Sequence, residues 1–208
     1  MEVEDMEEKV KKRRSRIRIM QALMFGIIMF LFFQVKDFVG VIFTKGDVYE
    51  IRREMPLGVT NGQEINVLYI NGENYGDADV NEYMLLDENG ETDLKYCALM
   101  HQAKKLSYSI LLGAMLIVAI VIANSAIDAS PFTHKNANRI RLIGVLQFAL
   151  AIVPGLVRFL MCFFKFRYVN AELDVNGFYM FAIAFAIMTL AQVFDYGVKL
   201  QEDIDSIA

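Results

Sequence analysis

Four runs of about twenty predominantly apolar residues dominate this sequence, at roughly 17–35, 106–123, 142–164 and 177–195. A bilayer hydrocarbon core about 30 Å thick is crossed by about 20 such residues in a helix. Backbone groups in lipid find no water, so each run is expected to close its hydrogen bonds internally as an α-helix. Composition supports this, because 55% of residues are hydrophobic and only 22% charged, and the apolar residues come in blocks rather than at amphipathic spacing. The fold class read from the sequence is an all-α membrane protein. It is a four-transmembrane-helix bundle with a small β-rich extracytoplasmic insertion between helices 1 and 2.

The first run could be taken for a signal peptide, since bases precede it. Its apolar stretch from Ile19 to Val35 is long for that role and no small-x-small cleavage site follows, so it reads as an uncleaved anchor. Lysine and arginine placement then sets orientation. Lys9, Lys11, Lys12, Arg13, Arg14, Arg16 and Arg18 precede the first run, and Lys135, Arg139 and Arg141 precede the third. Residues 44–103 hold four bases against twelve acids. Both termini and the 124–141 loop are therefore expected in the cytoplasm, and the acidic segment outside.

The expected order is a charged cytoplasmic segment 1–18, span 19–35, an acidic β-rich segment 36–105 and span 106–123. A cytoplasmic loop 124–141, span 142–164, an outer loop 165–176, span 177–195 and an acidic cytoplasmic tail 196–208 follow. The N-terminal segment, acidic over 2–8 and basic over 9–18, is expected to extend the first helix, with i,i+4 pairs such as Glu7–Lys11 and Glu8–Lys12.

Arg-Ile-Arg followed by an aliphatic residue occurs twice, at Arg16 and at Arg139. Both copies fall where the chain leaves the cytoplasm for the bilayer, and arginines there snorkel into anionic headgroups. The repeat reads as two insertion points rather than as a nucleic-acid motif, and direct nucleic-acid binding is not expected. A pseudo-repeat of two helical hairpins is the alternative.

Polar residues inside the spans need partners. Gln21, Asn124, Gln147 and Gln192 all lie near the cytoplasmic ends of their runs, suggesting a structural polar layer between helices; interfacial snorkelling is the other reading. Ala119 with Ala123 and Ala182 with Ala186 are candidates for close helix approach, and Pro154-Gly155 for a kink. Asp37 and Arg158 both fall near outer ends and form a candidate ion pair. The absence of ionisable residues near the midplane argues against a transporter or channel.

In the acidic segment, Asn71-Gly72 and Asn89-Gly90 sit between short β-prone runs, a hairpin signal. Asp77, Asp79, Asn81 and Glu88 occupy positions 1, 3, 5 and 12 of a calcium-loop template. Glu82 replaces the glycine at its sharp turn, so a solvated acidic surface is the other reading. Cys97, just before the second run, and Cys162, near the outer end of the third, both fall on the outer side, as a disulfide or as two buried thiols. His101 and His134 fall on opposite faces, which leaves no zinc set. No Gly-x-Ser-x-Gly, His-Glu-x-x-His or phosphate loop occurs, so neither an enzyme nor a cofactor is expected.

The stretch "SPFTHKNANRIRLIG" at 130–144, two spans, and "FDYGVKLQEDIDSIA" at 194–208 resemble the YoaS-like family of small four-span bacterial membrane proteins, a domain of unknown function. Pro131, Phe132, Asn136, Arg139, Arg141 and Gly144 match its pattern, as do Gly197, Leu200, Gln201, Glu202 and Asp205. Ser206-Ile207-Ala208 departs from the expected Leu-Thr-Val ending. The resemblance covers residues 124–208 and only generally the first span. It implies location in a bacterial plasma membrane and, as a partner, a cytoplasmic helix-turn-helix regulator often encoded alongside.

On the residues themselves, Pro131 is placed to start a short helix after Ser130, and the tail is expected to continue the fourth helix. The tail either packs on the basic 135–141 segment of its own chain or presents an acidic amphipathic face to a cytoplasmic protein. The function expected is a non-enzymatic membrane protein with a signalling role through such a regulator. An envelope-stress or peptide-immunity protein is the alternative, with a small transporter behind it.

Overall fold

The computed structural model describes residues 2–54, 65–78, 83, 85–87, 89–128, 132–166 and 175–207, and of these the side chains from residue 15 onward except at 126–128, 175–177 and 207. Helix α1 spans Glu2–Phe43, α2 Leu94–Asp128, α3 His134–Phe166 and α4 Val175–Ile207. Between α1 and α2 lie strands β1 Tyr49–Glu54, β2 Ile65–Ile70 and β3 Glu73–Asp77. Among the described residues, four helices are long and apolar enough to cross a membrane, within Ser15–Phe43, Leu94–Ser125, His134–Phe166 and Phe178–Ser206. All four outrun their apolar runs. Helix α1 begins in the charged N-terminal segment, as expected, and α4 carries the tail to Ile207.

The loop expected over 124–141 is mostly helix instead, because α2 continues to Asp128 and α3 begins at His134. Thr133 supplies the reason. Its hydroxyl accepts the Asn136 N–H at 3.2 Å and its carbonyl the Ala137 N–H at 3.0 Å, the pattern of an N-cap. The helix expected from Pro131 is thus α3 itself, starting at His134; Pro131 lies outside the described residues.

The chain divides into two compact units, Met1–Phe33 with Ser109–Ile152 and Asp174–Ala208, and Gln34–Tyr108 with Val153–Leu173. In the first unit, small residues set the helix spacing. A Cβ added at Gly113 would lie 3.2 Å from Leu31 Cδ1, and one at Gly144 would lie 2.8 Å from Met188 Cγ. On α4 the buried residues Ala184, Ala191 and Val198 recur every seven positions, and on α3 Ala137, Ile140, Gly144 and Gln147 are buried, Gly144 against Met188. A seven-residue apolar seam is what two helices crossing at a shallow angle present to each other. Phe148 packs against Phe181 and Phe185, with ring centroids 5.8 and 5.1 Å away.

Ala119, Ala123, Ala182 and Ala186, expected at close contacts, are exposed. Their small-xxx-small spacing puts each pair on one helix face without saying which face is buried, and the seam uses the other. Pro154 is buried within α3, whose assigned range runs through it.

The second unit contains an antiparallel sheet in the order β1-β2-β3. Tyr49 pairs with Ile70 and Glu54 with Ile65 across β1 and β2, and Ile70 pairs with Glu73 across β2 and β3. The β2–β3 turn is Asn71-Gly72, with φ of 55° and 79°, the two positive angles of a type I′ hairpin. A bulge at Leu68/Tyr69 shifts the register opposite Gly76, whose φ is 126°. Leu68, Tyr49, Val41, Tyr83, Cys97 and Phe166 belong to its buried core. Lys95 Nζ donates to the Ile42 carbonyl at 3.1 Å, capping the end of α1.

The hairpin turn gives a clean backbone test, since nothing lies within 4 Å of a Cβ added at Gly72. Gly72→Val meets only the left-handed penalty, about 1–2 kcal/mol. Amides of β2 and β3 are expected to exchange roughly five- to thirty-fold faster with solvent.

Among the described residues, the second Asn-Gly forms a turn flanked by the isolated bridge Leu86–Thr92 rather than by strands. The Asp87 side chain organises it, its Oδ1 accepting the Asn89 N–H at 2.8 Å and the Glu91 N–H at 3.0 Å. Those two N–H groups hold the Asp87 carboxyl below its usual range. A depressed carboxylate stabilises the fold above its unfolded pKa, and that contribution is lost as pH falls through the lower folded value. Titration of the Asp87 carboxyl by NMR should give a midpoint below that of an unstructured aspartate. In Asp87→Asn, exchange of the Asn89 and Glu91 amides should lose its acid dependence.

Candidate functional site

Residues of the two stretches singled out from the sequence, 130–144 and 194–208, meet in the first unit. Phe132, just ahead of α3, lies with its ring over Gly197 of α4, where an added Cβ would come within 2.8 Å of its Cδ1. The same ring sits 5.2 Å from that of Phe194. One turn into α3, Asn136 is only 1% exposed. Its Oδ1 accepts from Ser125 Oγ at 2.6 Å and from Arg139 Nη1 at 3.0 Å. Ser125 Oγ also lies 2.9 Å from the Ile122 carbonyl. A hydroxyl has one proton, and the shorter contact to Asn136 takes it. The guanidinium can only donate, which fixes the Asn136 oxygen toward it.

Charged groups continue the junction at the surface. His134 Nδ1 lies 3.1 Å from Asp195 Oδ1, and its Nε2 lies 3.4 Å from Glu202 Oε1. Arg141 Nη2 lies 3.4 Å from Asp195 Oδ2 while its Nη1 donates to Asn138 Oδ1 at 2.8 Å. These pairs are partly solvated, so water and salt screen them and each contributes little to stability. The apolar ring against glycine and the buried Asn136 contribute more.

Seven positions singled out from sequence as partner contacts are thus held inside the chain to different degrees. Phe132, Asn136, Arg139, Arg141, Gly197 and Glu202 take part in the junction, and Gln201 also has an interaction within the chain. Leu200 and Asp205 remain exposed. His134, Asp195 and Ser125 are the members sequence reasoning missed. Asp195 carried a signal, a carboxylate at the end of an apolar run and on the side of Arg141; Ser125 carried none.

Of the four residues expected in a polar layer, Gln147 is buried at 7% exposure, whereas Gln21, Asn124 and Gln192 are exposed. Burial is what such a layer requires, and three of the four do not meet it. The polar cluster that is buried in this unit centres on Asn136.

In the second unit, a cavity of about 260 Å³ is lined by Asp37, Tyr75, Asp77, Tyr83, His101 and Lys105, among others. Gln102, 5% exposed, donates to the Tyr75 hydroxyl at 3.1 Å. Burial pushes the Tyr75 phenol up, with a smaller push from the Asp37 carboxylate, so the phenol stays a neutral donor and acceptor. Of the candidate pair, Asp37 lines this cavity, and Arg158 lies one turn from Cys162 on α3, in the same unit. Of the calcium template only Asp77 is among the described residues. No group of three or more His, Cys, Asp or Glu among the described residues is placed to hold a metal ion.

Comparison with family models, with curated proteins and with solved structures finds no match to this chain. What the fold defines by itself, among the described residues, is four helices long and apolar enough to cross a membrane, with a three-stranded sheet between the first two.

Proposed function

We propose that this chain is a non-enzymatic, multi-pass protein of a bacterial plasma membrane that acts as the membrane partner of a cytoplasmic helix-turn-helix transcription regulator. Both termini lie in the cytoplasm and the strands lie outside, the orientation the lysine and arginine bias favours. Large apolar side chains exposed along the helices, among them Phe30, Phe33, Leu156, Phe164, Phe178 and Phe185, suit a lipid surrounding, where such surface needs no burial.

The observation that carries the regulatory reading is the end of α4. Once Gly197 and Val198 are taken up by the chain itself, Tyr196, Leu200 and Ile204 form an exposed stripe at i,i+4 spacing. Glu202, Asp203 and Asp205 lie beside it. An apolar stripe with acidic flanks on a projecting helix suits the groove of a basic protein. The YoaS-like resemblance of 130–144 and 194–208 supports the same partner class.

The test uses positions outside the junction. Ile204→Lys combined with Asp203→Lys and Asp205→Lys leaves Phe132, Asn136 and Gly197 in place. Full-length protein purified from its native membranes is expected to retain a helix-turn-helix protein, and the triple variant to lose it. Retention of no DNA-binding protein by the unaltered chain ends this reading. A peptide-immunity or envelope-stress role is the second reading, favoured by the cavity of the second unit, and it requires no cytoplasmic partner.

A further inference from the structure

Within the second unit, three contacts set the start of α2 against the end of α3 in antiparallel register. Asp93 Oδ2, just before α2, lies 3.1 Å from Lys165 Nζ. The Tyr96 hydroxyl donates to the Met161 carbonyl at 2.9 Å, and its ring meets Phe166 edge-on at 5.7 Å. One turn forward from Asp93 along α2 stands Cys97. One turn back from Lys165 along α3 stands Cys162. Residues three or four apart share a helix face, so the register that joins 93 to 165 also brings the two sulfurs to one side. Both belong to the same apolar cluster, Cys97 fully buried within it and Cys162 packed against it.

We propose that Cys97 and Cys162, which the structure holds as thiols, are a redox pair that closes to an intramolecular disulfide by exchange with a disulfide oxidant. Cys162 is the more exposed and reacts first. Its thiolate attacks one sulfur of the oxidant, forming a mixed disulfide and releasing one thiol. The Cys97 thiolate then attacks Cys162 Sγ, forming the internal bond and releasing the second thiol. In total the two cysteines lose two protons and two electrons, and the oxidant takes them up as it becomes two thiols. The bond ties the first turn of α2, and through it the core under the sheet, to the last turn of α3. Its persistence in cells rests on the proposed orientation, which places both residues on the oxidising side of the membrane. Closure in the purified protein does not.

The experiment counts thiols on the full-length protein in detergent. The reduced protein is exposed to oxidised glutathione, unfolded, and labelled with a maleimide–polyethylene glycol. Two adducts are expected before oxidation, none after it, and two again once reductant is added, with monomer mobility throughout. Cys97→Ser should leave Cys162 as a stable mixed disulfide with glutathione, whereas in Cys162→Ser the buried Cys97 should stay a thiol until the protein unfolds. Two reactive thiols after oxidation, or one glutathione on each cysteine, overturns the proposal, and neither outcome depends on a variant folding. Trapping thiols in intact cells before lysis is the second arm, with the disulfide expected there as well. Reduced thiols in cells from a protein whose pair closes when purified would remove the orientation and leave the pair standing.

Discussion

Replacing Gly197 with leucine is expected to destabilise the first unit by about 1–3 kcal/mol, the usual range for forcing extra atoms into a filled site. The Phe132 ring covers the position so closely that even a Cβ would come to 2.8 Å from Cδ1 and 3.0 Å from Cε1. Alanine should behave differently. It recovers about 1 kcal/mol of helix propensity over glycine, which offsets part of the strain of moving the Phe132 ring out of contact. The series Gly, Ala, Leu is therefore expected to run near-neutral and then sharply down in circular-dichroism melts of the detergent-solubilised protein. Phe132→Ala in the leucine background should recover part of the loss, because it removes the clashing ring. A double variant no better than the sum of the two singles would show that the ring does not occupy this position.

Asn136→Ala is the second large effect, again about 1–3 kcal/mol. The mechanism is different. Removing the Asn136 oxygen, at a residue 1% exposed, takes the acceptor from the Arg139 guanidinium, while the Ser125 hydroxyl can turn to the Ile122 carbonyl 2.9 Å away. The penalty for stranding a donor exceeds the net worth of the bond, most of all for a charged one. Ser125→Ala should lose less, about 1 kcal/mol, since Asn136 keeps its bond to Arg139. Asn136→Asp should be milder than alanine, because a carboxylate keeps the acceptor and sets a charge beside the arginine. The ordering Ala worst, Asp and the serine variant intermediate, separates a hydrogen-bond hub from a site that merely needs volume. Asn136→Leu tests the latter directly, and a stable leucine variant would refute the hub.

The four helices were legible in the sequence because blocks of apolar residues admit few other structures. Their ends were not. The stretch 94–105, "LKYCALMHQAKK", is too polar to read as a span, yet α2 begins there because Leu94, Cys97 and Ala98 pack under the sheet. The Asn71-Gly72 hairpin was readable from two residues, since few others accept positive φ twice in succession. Asn89-Gly90 also turns the chain, but only Gly90 has a positive φ there, and the Asp87 side chain took up the amides that a ladder would have used.

The candidate site was half legible. The residues singled out around 132–141 and 197–202 do come together, but their shared role within the chain depends on Ser125, His134 and Asp195. Nothing in their spacing marks them, because they come from three different helices. The alanine pairs mislead for a related reason. Sequence gives the period of a helix face, and only packing chooses which face is buried.

Sidedness is the claim on which the functional account stands, and one measurement addresses it directly. A short epitope inserted at Asn89-Gly90 and another fused after Ala208 are probed with antibody on sealed membrane vesicles of both orientations. The account predicts that the inserted epitope is reached only in right-side-out vesicles and the C-terminal one only in inside-out vesicles. Both epitopes on one side, or the reverse assignment, would contradict it.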